Sequence, residues 1–227
     1  MEHSFIKAAL VGSNQFWKYL IGLICVAFFA MIIGAVPAFI VFGYSDDPSA
    51  AAEMNFEAAG ISYALGLTLL LIPFVFGLFA VGFVTKLIHE RPLVTLITAN
   101  KRINWKKVGV GALIWLVLLV VFELESYRVN PDNYVWTFEA AKFFPVLVVT
   151  LLLIPLQTTF EEVLFRGYLM QGFGIGFRYP IIALVFTSAI FGALHLGNPE
   201  ISEYGTWLIW SYVQIGLLLG LITLLDE

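Results

Sequence analysis

The stretch FFPVLVVTLLLIPLQTTFEEVLFR, which covers Phe143–Arg166, decides the fold of this protein. No charged residue occurs from Phe143 to Phe160, and two adjacent carboxylates, Glu161 and Glu162, follow directly. A helix that crosses the apolar core of a bilayer needs about 20 mostly apolar residues. The segment must be helical because lipid offers no hydrogen-bond partner to backbone N–H and C=O groups. The stretch therefore predicts a membrane-spanning helix with an unusual pair of charges at its end.

The remainder of the chain has the same apolar character. Its 227 residues are 60% hydrophobic and only 12% charged, with a mean hydropathy of +0.92. A soluble domain carries about 25% charged residues. This composition excludes a cytosolic enzyme, a disordered chain and a nucleic-acid binder, which would need a basic face. The single cysteine, Cys25, excludes a disulfide framework and a cysteine-only metal site.

Continuous apolar runs, rather than alternating ones, indicate helices and not barrel strands. We predict an all-α, polytopic helical membrane protein with about six visible transmembrane helices. Residues 1–142 would supply the first three and residues 143–227 the last three, within one integrated membrane domain. The six stretches are Phe16–Tyr44, Ile61–Leu87, Val108–Phe122, Phe143–Phe160 with an extension beyond it, Ile181–Leu196 and Thr206–Leu225.

The basic residues sort by loop, and ten of the twelve fall on one side of the predicted membrane. These ten are Lys7, Lys18, Lys86, Arg91, Lys101, Arg102, Lys106, Lys107, Arg166 and Arg178. Cytoplasmic loops are the ones rich in Lys and Arg. We therefore expect a multi-pass protein of the plasma membrane with a cytoplasmic amino terminus, in contact with the lipid bilayer and with no nucleic-acid partner.

The segment Glu161-Glu162-x-x-x-Arg166 contains the first candidate functional residues. Charged side chains within membrane helices are costly and are therefore functional candidates. Glu162 and Arg166 are i,i+4 neighbours that can form an ion pair, whereas Glu161 points about 100° away round the helix and can stay free for proton transfer. The alternative is a helix that ends at the interface, with both carboxylates in headgroups or water.

His195 is the second candidate, because it directly follows an apolar run. His3 and His89 lie in the amino-terminal tail and a loop, and we assign them no role. If the turn between the fourth and fifth helices is centred near Arg178, then Glu161 and His195 are equally distant from that centre along the chain. Both would then lie at the same depth, about 25 Å along straight helices. The alternative is that His195 is a packed or interfacial residue.

A carboxylate and an imidazole at one depth can hold and deprotonate a water molecule, which suits hydrolysis. The environments of Glu161 and Glu162 differ, so the two can hold different protonation states. No cofactor is favoured, because the helical signature His-Glu-x-x-His is absent. A divalent metal such as Zn, bound through Glu161 and His195, is the alternative.

The ordered pair Glu161-Glu162-x-x-x-Arg166 and Phe191-x-x-x-His195 resembles the CPBP family of intramembrane proteases, which includes the CAAX prenyl proteases and the bacteriocin-processing-like, or Abi, proteins. The resemblance covers about residues 143–225. It implies an endopeptidase that acts on a membrane-associated protein or peptide, with prenylated CAAX-type tails among the candidates. It further implies that Glu161 activates water with help from His195, while Arg166 holds Glu162 as a second acidic partner. Both a metalloprotease and a metal-free glutamate mechanism remain open.

One departure from the family pattern is the missing His-x-x-x-Asn motif on a later helix, which is thought to hold the oxyanion. No such motif lies between His195 and Glu227. We expect further helices beyond residue 227, because the segment from Gly216 to Leu225 resembles the helix that precedes this motif. The alternatives are a non-catalytic relative with an immunity or scaffolding role and, less favoured, a proton-coupled transporter.

Overall fold

A computed structural model describes residues 4–225, so that His3 and the chain end at Asp226 and Glu227 lie outside the described residues. The described part is helical throughout, without a strand, which confirms the predicted fold class. Five helices are long and apolar enough to cross a membrane, and a sixth is shorter. The six are α1 Phe16–Gly43, α2 Tyr63–Ile88, α3 Trp105–Val129, α4 Ala140–Phe177, α5 Pro180–Leu194 and α6 Thr206–Leu225.

The third and fifth predicted stretches, Val108–Phe122 and Ile181–Leu196, are the shortest, and they differ in the structure. Helix α3 has 25 residues because it extends into both polar flanks, and its first turn is capped by Asn104, which accepts a hydrogen bond from the Lys107 N–H. A side-chain acceptor at this position satisfies a donor that the helix leaves free. Helix α5 stays at 15 residues. Helix α4 continues beyond Phe160 as predicted, and with 38 residues it also runs past Arg166.

Helices α4 and α5 form a tight antiparallel hairpin centred on Arg178. This residue has a left-handed backbone (φ +63°) that ends α4, as is common directly after a helix. Pro180 then opens α5, where its fixed φ and missing N–H cost nothing. The predicted centre of the hairpin is confirmed.

Small residues let the helices of the bundle approach one another. Helix α2 packs along α4, and a side chain at Gly77 would collide with the ring of Phe160. Helix α6 packs along α5 through Gly216, which faces Ser188. Ser188 is buried and donates a hydrogen bond to the Leu184 carbonyl, so it has a packing role. Small residues at such interfaces are typical of membrane helices.

Helix α3 stands apart from the bundle. None of its residues is buried, although its apolar side chains cover most of its length. In a bilayer this surface contacts acyl chains. Its first turn, at Trp105 and Val108, nevertheless approaches α4 and lines a cavity there.

The basic segments gather at one end of the bundle. The short helix Ser4–Lys7 packs against the end of α4. The Ser13 N–H donates to the His89 carbonyl at 2.8 Å, and Lys18 Nζ donates to the Ile88 carbonyl at 2.7 Å. The amino-terminal segment, the loop after α2 and the α4–α5 turn therefore share one end.

Candidate active site

Helix α4 changes its winding directly after the two adjacent glutamates. Val163–Leu169 forms a π-helical turn, and all of its residues except Leu164 are buried. Single π-turns inside α-helices occur frequently at functional sites. A side chain at Gly167 would collide with the carbonyl of Leu96, so a glycine is needed where the loop after α2 crosses this turn.

The two glutamates have different partners. Glu161 accepts a hydrogen bond from Gln157 Nε2 at 3.1 Å, one turn earlier on α4. Glu162 Oε1 lies 3.0 Å from Arg166 Nη1, which confirms the predicted ion pair. The side chain of Arg166 is only 5% exposed and that of Glu162 is 41% exposed. Glu161 therefore has a neutral hydrogen-bond partner, whereas Glu162 has a cationic one.

Arg166 connects the ion pair to α5 and to a cavity. Its guanidinium carbon lies 4.5 Å from the ring centroid of Phe191, a cation–π contact. Within the described chain, its Nη1 and Nη2 make no well-aligned hydrogen bond. A cavity of about 340 Å³ opens on this face of α4. Its wall includes Glu162, Arg166, Thr158, Thr159, Trp105 and Val108.

His195 terminates α5, and its position fixes which ring nitrogen carries a proton. Its backbone N–H bonds the Gly192 carbonyl instead of Phe191, so the Phe191 carbonyl is free to bond Nδ1 of the imidazole at 2.7 Å. Because a carbonyl can only accept, Nδ1 is the protonated nitrogen of the neutral ring. Nε2 makes no hydrogen bond to any other described residue, and the side chain is half-buried. Nε2 is thus available as a base.

The packing of α5 on the π-turn sets the depth of Glu161 and His195. The rings of Phe165 and Phe191 pack edge to face with centroids 5.1 Å apart, and the two residues are equally distant from Arg178 along the chain. Glu161 and His195 are also equally distant from Arg178, one turn further on each helix. The contact between Phe165 and Phe191 therefore supports the predicted shared depth of Glu161 and His195.

Tyr212 on α6 contacts His195, although no sequence motif includes it. Its ring stacks on the imidazole of His195, with centroids 4.1 Å apart and planes 23° apart. It also interacts electrostatically with Glu161. Its hydroxyl donates a short hydrogen bond to Glu200. A tyrosine hydroxyl within a predicted membrane-spanning helix is the sequence feature that could have indicated a functional role for this residue.

A second polar cluster, the His89 cluster, consists of His89, Arg91, Tyr168 and Gln171, and it corrects the view that His89 needs no role. His89, Tyr168 and Gln171 are fully buried, and Arg91 is 2% exposed. Nδ1 of His89 bonds the Ser13 carbonyl and Nε2 bonds the Tyr168 hydroxyl, each at 2.8 Å. Arg91 donates to Gln171 at 2.6 Å. The cluster joins the amino-terminal segment, the loop after α2 and α4.

The alternative of a bound metal finds little support in the donor set. Among residues 4–225, no group of three or more His, Cys, Asp and Glu side chains is placed to hold a metal ion. A catalytic zinc site usually takes three protein ligands, and Glu161 with His195 supplies only two. The described residues therefore do not fit a zinc site.

These features define a polytopic helical membrane protein with a partly buried ion pair, Glu162 and Arg166, next to Glu161 on one helix and a histidine at the end of the next. Residues 140–226 match the family described as "Type II CAAX prenyl endopeptidase Rce1-like". The resemblance seen in the motifs is confirmed by this match, which covers residues 140–226. The chain is also 29% identical over 216 residues to "Uncharacterized protein YyaK" of Bacillus subtilis (strain 168), covering 94% of this chain and 72% of the relative. No solved structure matches the chain.

Proposed function

We propose that this protein is an intramembrane endopeptidase that hydrolyses a peptide bond of a membrane-associated protein or peptide, including prenylated CAAX-type tails. The observation that carries the proposal is the open Nε2 of His195 at the depth of Glu161. The match to the Rce1-like family supports the substrate class.

In this proposal Glu161 is the general base and His195 holds the water through Nε2. Glu161 takes a proton from the water as its oxygen forms a bond to the scissile carbonyl carbon. When the C–N bond breaks, the protonated Glu161 returns that proton to the leaving amine. A positioned base of this kind typically contributes about 10²–10⁴-fold to the rate.

Glu162 and Arg166 have a supporting role in the same proposal. Their ion pair places a charged, hydrogen-bonding wall on the cavity beside α4. Because Arg166 also contacts Phe191, it holds α5 in the position that brings His195 to Glu161. Loss of Arg166 would therefore disturb the depth match rather than the proton transfer itself.

The proposal is tested with purified protein in lipid vesicles and a quenched fluorescent peptide that ends in a prenylated cysteine and three further residues. An unprenylated peptide of the same sequence shows whether the lipid is needed. Glu161→Gln and His195→Ala should each lower the cleavage rate at least 100-fold. Glu203→Gln, an exposed acid on the neighbouring short helix, is the matched control. Unchanged cleavage in both site variants would refute the roles proposed here.

We also propose that the protein lies in the plasma membrane with its amino terminus in the cytoplasm, on the basis of the excess of Lys and Arg at one end of the bundle. In a Cys25→Ser background, single cysteines at Asn100 and Asp132 can be labelled with an impermeant maleimide. Intact cells should label only the cysteine at 132. Labelling only at 100 would reverse the orientation.

A further inference from the structure

We infer that Tyr212, anchored by Glu200, is a positioning residue that holds the imidazole of His195 in its reactive orientation. The inference rests on the proposed function, because it concerns how His195 serves Glu161. It assigns a role to two side chains on segments that follow His195 in the chain, α6 and the short helix Pro199–Tyr204.

The imidazole of His195 needs a further restraint because of its position in the chain. It caps the end of α5, so no further helical turn packs against its side chain from that direction. One hydrogen bond from Nδ1 to the Phe191 carbonyl fixes the tautomer but leaves the ring free to pivot about that bond. A misplacement of about 1 Å in a catalytic group can cost roughly 100-fold in rate.

Tyr212 supplies the missing restraint through its ring. The imidazole of His195 lies nearly parallel to the phenol of Tyr212 at 4.1 Å and also contacts the ring of Phe191 at 4.5 Å. Aromatic contacts of this kind favour a defined relative orientation of the rings. With one neighbour on α5 and one on α6, the imidazole is restrained from two helices.

The hydroxyl of Tyr212 is itself held in place. It donates to the Glu200 carboxylate, and Asn198 Nδ2 donates to both Glu200 Oε1 at 3.0 Å and the Tyr212 hydroxyl at 3.3 Å. This triangle ties the loop directly after His195 to α6. It gives the hydroxyl of Tyr212 a partner in a membrane-spanning helix.

Glu200 adds an electrostatic contribution to the positioning. The hydrogen bond from Tyr212 holds the pKa of Glu200 below its usual value, so this side chain is a carboxylate at neutral pH. Glu200 also interacts electrostatically with His195.

The experiment that tests the positioning without relying on turnover is ¹⁵N NMR of histidine-labelled protein in detergent, with His195→Ala to assign the signal. The wild-type protein should show a single tautomer protonated at Nδ1. Tyr212→Leu, which removes the ring, should give averaged tautomer shifts. Tyr204→Phe, a nearby exposed tyrosine, should leave the signal unchanged. A single unaveraged tautomer in folded Tyr212→Leu would overturn the inference.

Milder variants keep the test valid if Tyr212→Leu does not fold. Tyr212→Phe keeps the ring and removes the anchor, and Glu200→Gln removes the charge. With the prenylated peptide, each should lower kcat about 3- to 30-fold with KM unchanged, and unchanged kcat in both would contradict the role. If His195→Ala retains full activity while the NMR signature still depends on Tyr212, the proposed function fails but the positioning stands.

Discussion

The two described histidines, His89 and His195, differ in how completely their ring nitrogens are bonded. His89 is fully buried, and both of its nitrogens have partners, the Ser13 carbonyl and the Tyr168 hydroxyl. His195 is half-buried, and only Nδ1 is bonded. A histidine with both nitrogens bonded inside the fold has no nitrogen left for a substrate or water, whereas one with an open nitrogen can bind one.

The charges around the two rings also differ. His89 has the cations Arg91 and Lys18 as neighbours, and burial together with these cations lowers the pKa of His89 below its usual value. The bonds described above therefore belong to the neutral ring. His195 has carboxylates as neighbours, with Glu200 interacting directly and Glu161 at the same depth. The surroundings therefore keep His89 neutral, whereas His195 has a carboxylate in its surroundings.

Replacing each histidine by alanine gives the largest expected difference between a catalytic role for His195 and a structural role for His89. His195→Ala should lose at least 100-fold in cleavage of the prenylated peptide while its thermal unfolding changes little. His89→Ala should destabilise the fold by about 2–5 kcal/mol, because it leaves a cavity and two unpaired buried groups. The two measurements are the cleavage rate per folded molecule and the unfolding temperature in detergent.

Two results of these measurements on His89→Ala and His195→Ala would contradict the assigned roles. If His89→Ala lowered the cleavage rate per folded molecule as strongly as His195→Ala, the His89 cluster would be part of the chemistry. If His195→Ala unfolded the protein, its role would be structural. Ser202→Ala, a change at an exposed residue after α5, is the control and should alter neither the cleavage rate nor the unfolding temperature.

A smaller effect is expected when only one bond of the His89 cluster is removed. Tyr168→Phe keeps the buried ring but leaves Nε2 of His89 without its 2.8 Å partner. The free energy of unfolding should fall by about 1–3 kcal/mol. Denaturant titration followed by tryptophan fluorescence measures it, and an unchanged midpoint would show that the hydroxyl contributes nothing.

The lowered pKa of His89 predicts an acid-sensitive stability. The unfolded chain takes up the proton first as the pH falls, because its histidine titrates near about pH 6.5. The contribution is therefore complete above about pH 6.5 and is lost as the pH falls through the lower pKa of the folded state. The unfolding temperature between pH 7.5 and pH 5 should fall less in His89→Gln than in the wild type, and equal slopes would contradict this account.

The smallest effect is expected far from both histidines, at the ion pair of Glu125 and Arg128 on α3. The pair spans 2.9 Å, but both side chains are well exposed. Such surface pairs contribute about 0.2–1 kcal/mol. Glu125→Gln should leave unfolding within about 0.5 kcal/mol of the wild type, and a larger loss would mean that α3 packs in a way that its exposure does not indicate.

Much of the candidate site could be predicted from local sequence. The i,i+4 spacing of Glu162 and Arg166 predicts their ion pair, and the turn at Arg178 predicts the shared depth of Glu161 and His195. Tyr212 could not be placed in this way, because its contact with His195 depends on how α6 packs against α5. Arg91 and Gln171 are likewise brought together from two helical segments that no motif connects.

Composition and apolar run length alone establish a helical membrane protein, because lipid leaves the backbone no partner outside a helix. Spacing along the chain further establishes which carboxylate is paired with the arginine and which is not. The functions of the two histidines depend on packing, since the number of bonds to each ring is set by segments distant in sequence. Ser13 and Tyr168 bond both ring nitrogens of His89. In His195 only Nδ1 is bonded, to the Phe191 carbonyl at the end of α5, and Tyr212 stacks on the ring without bonding Nε2.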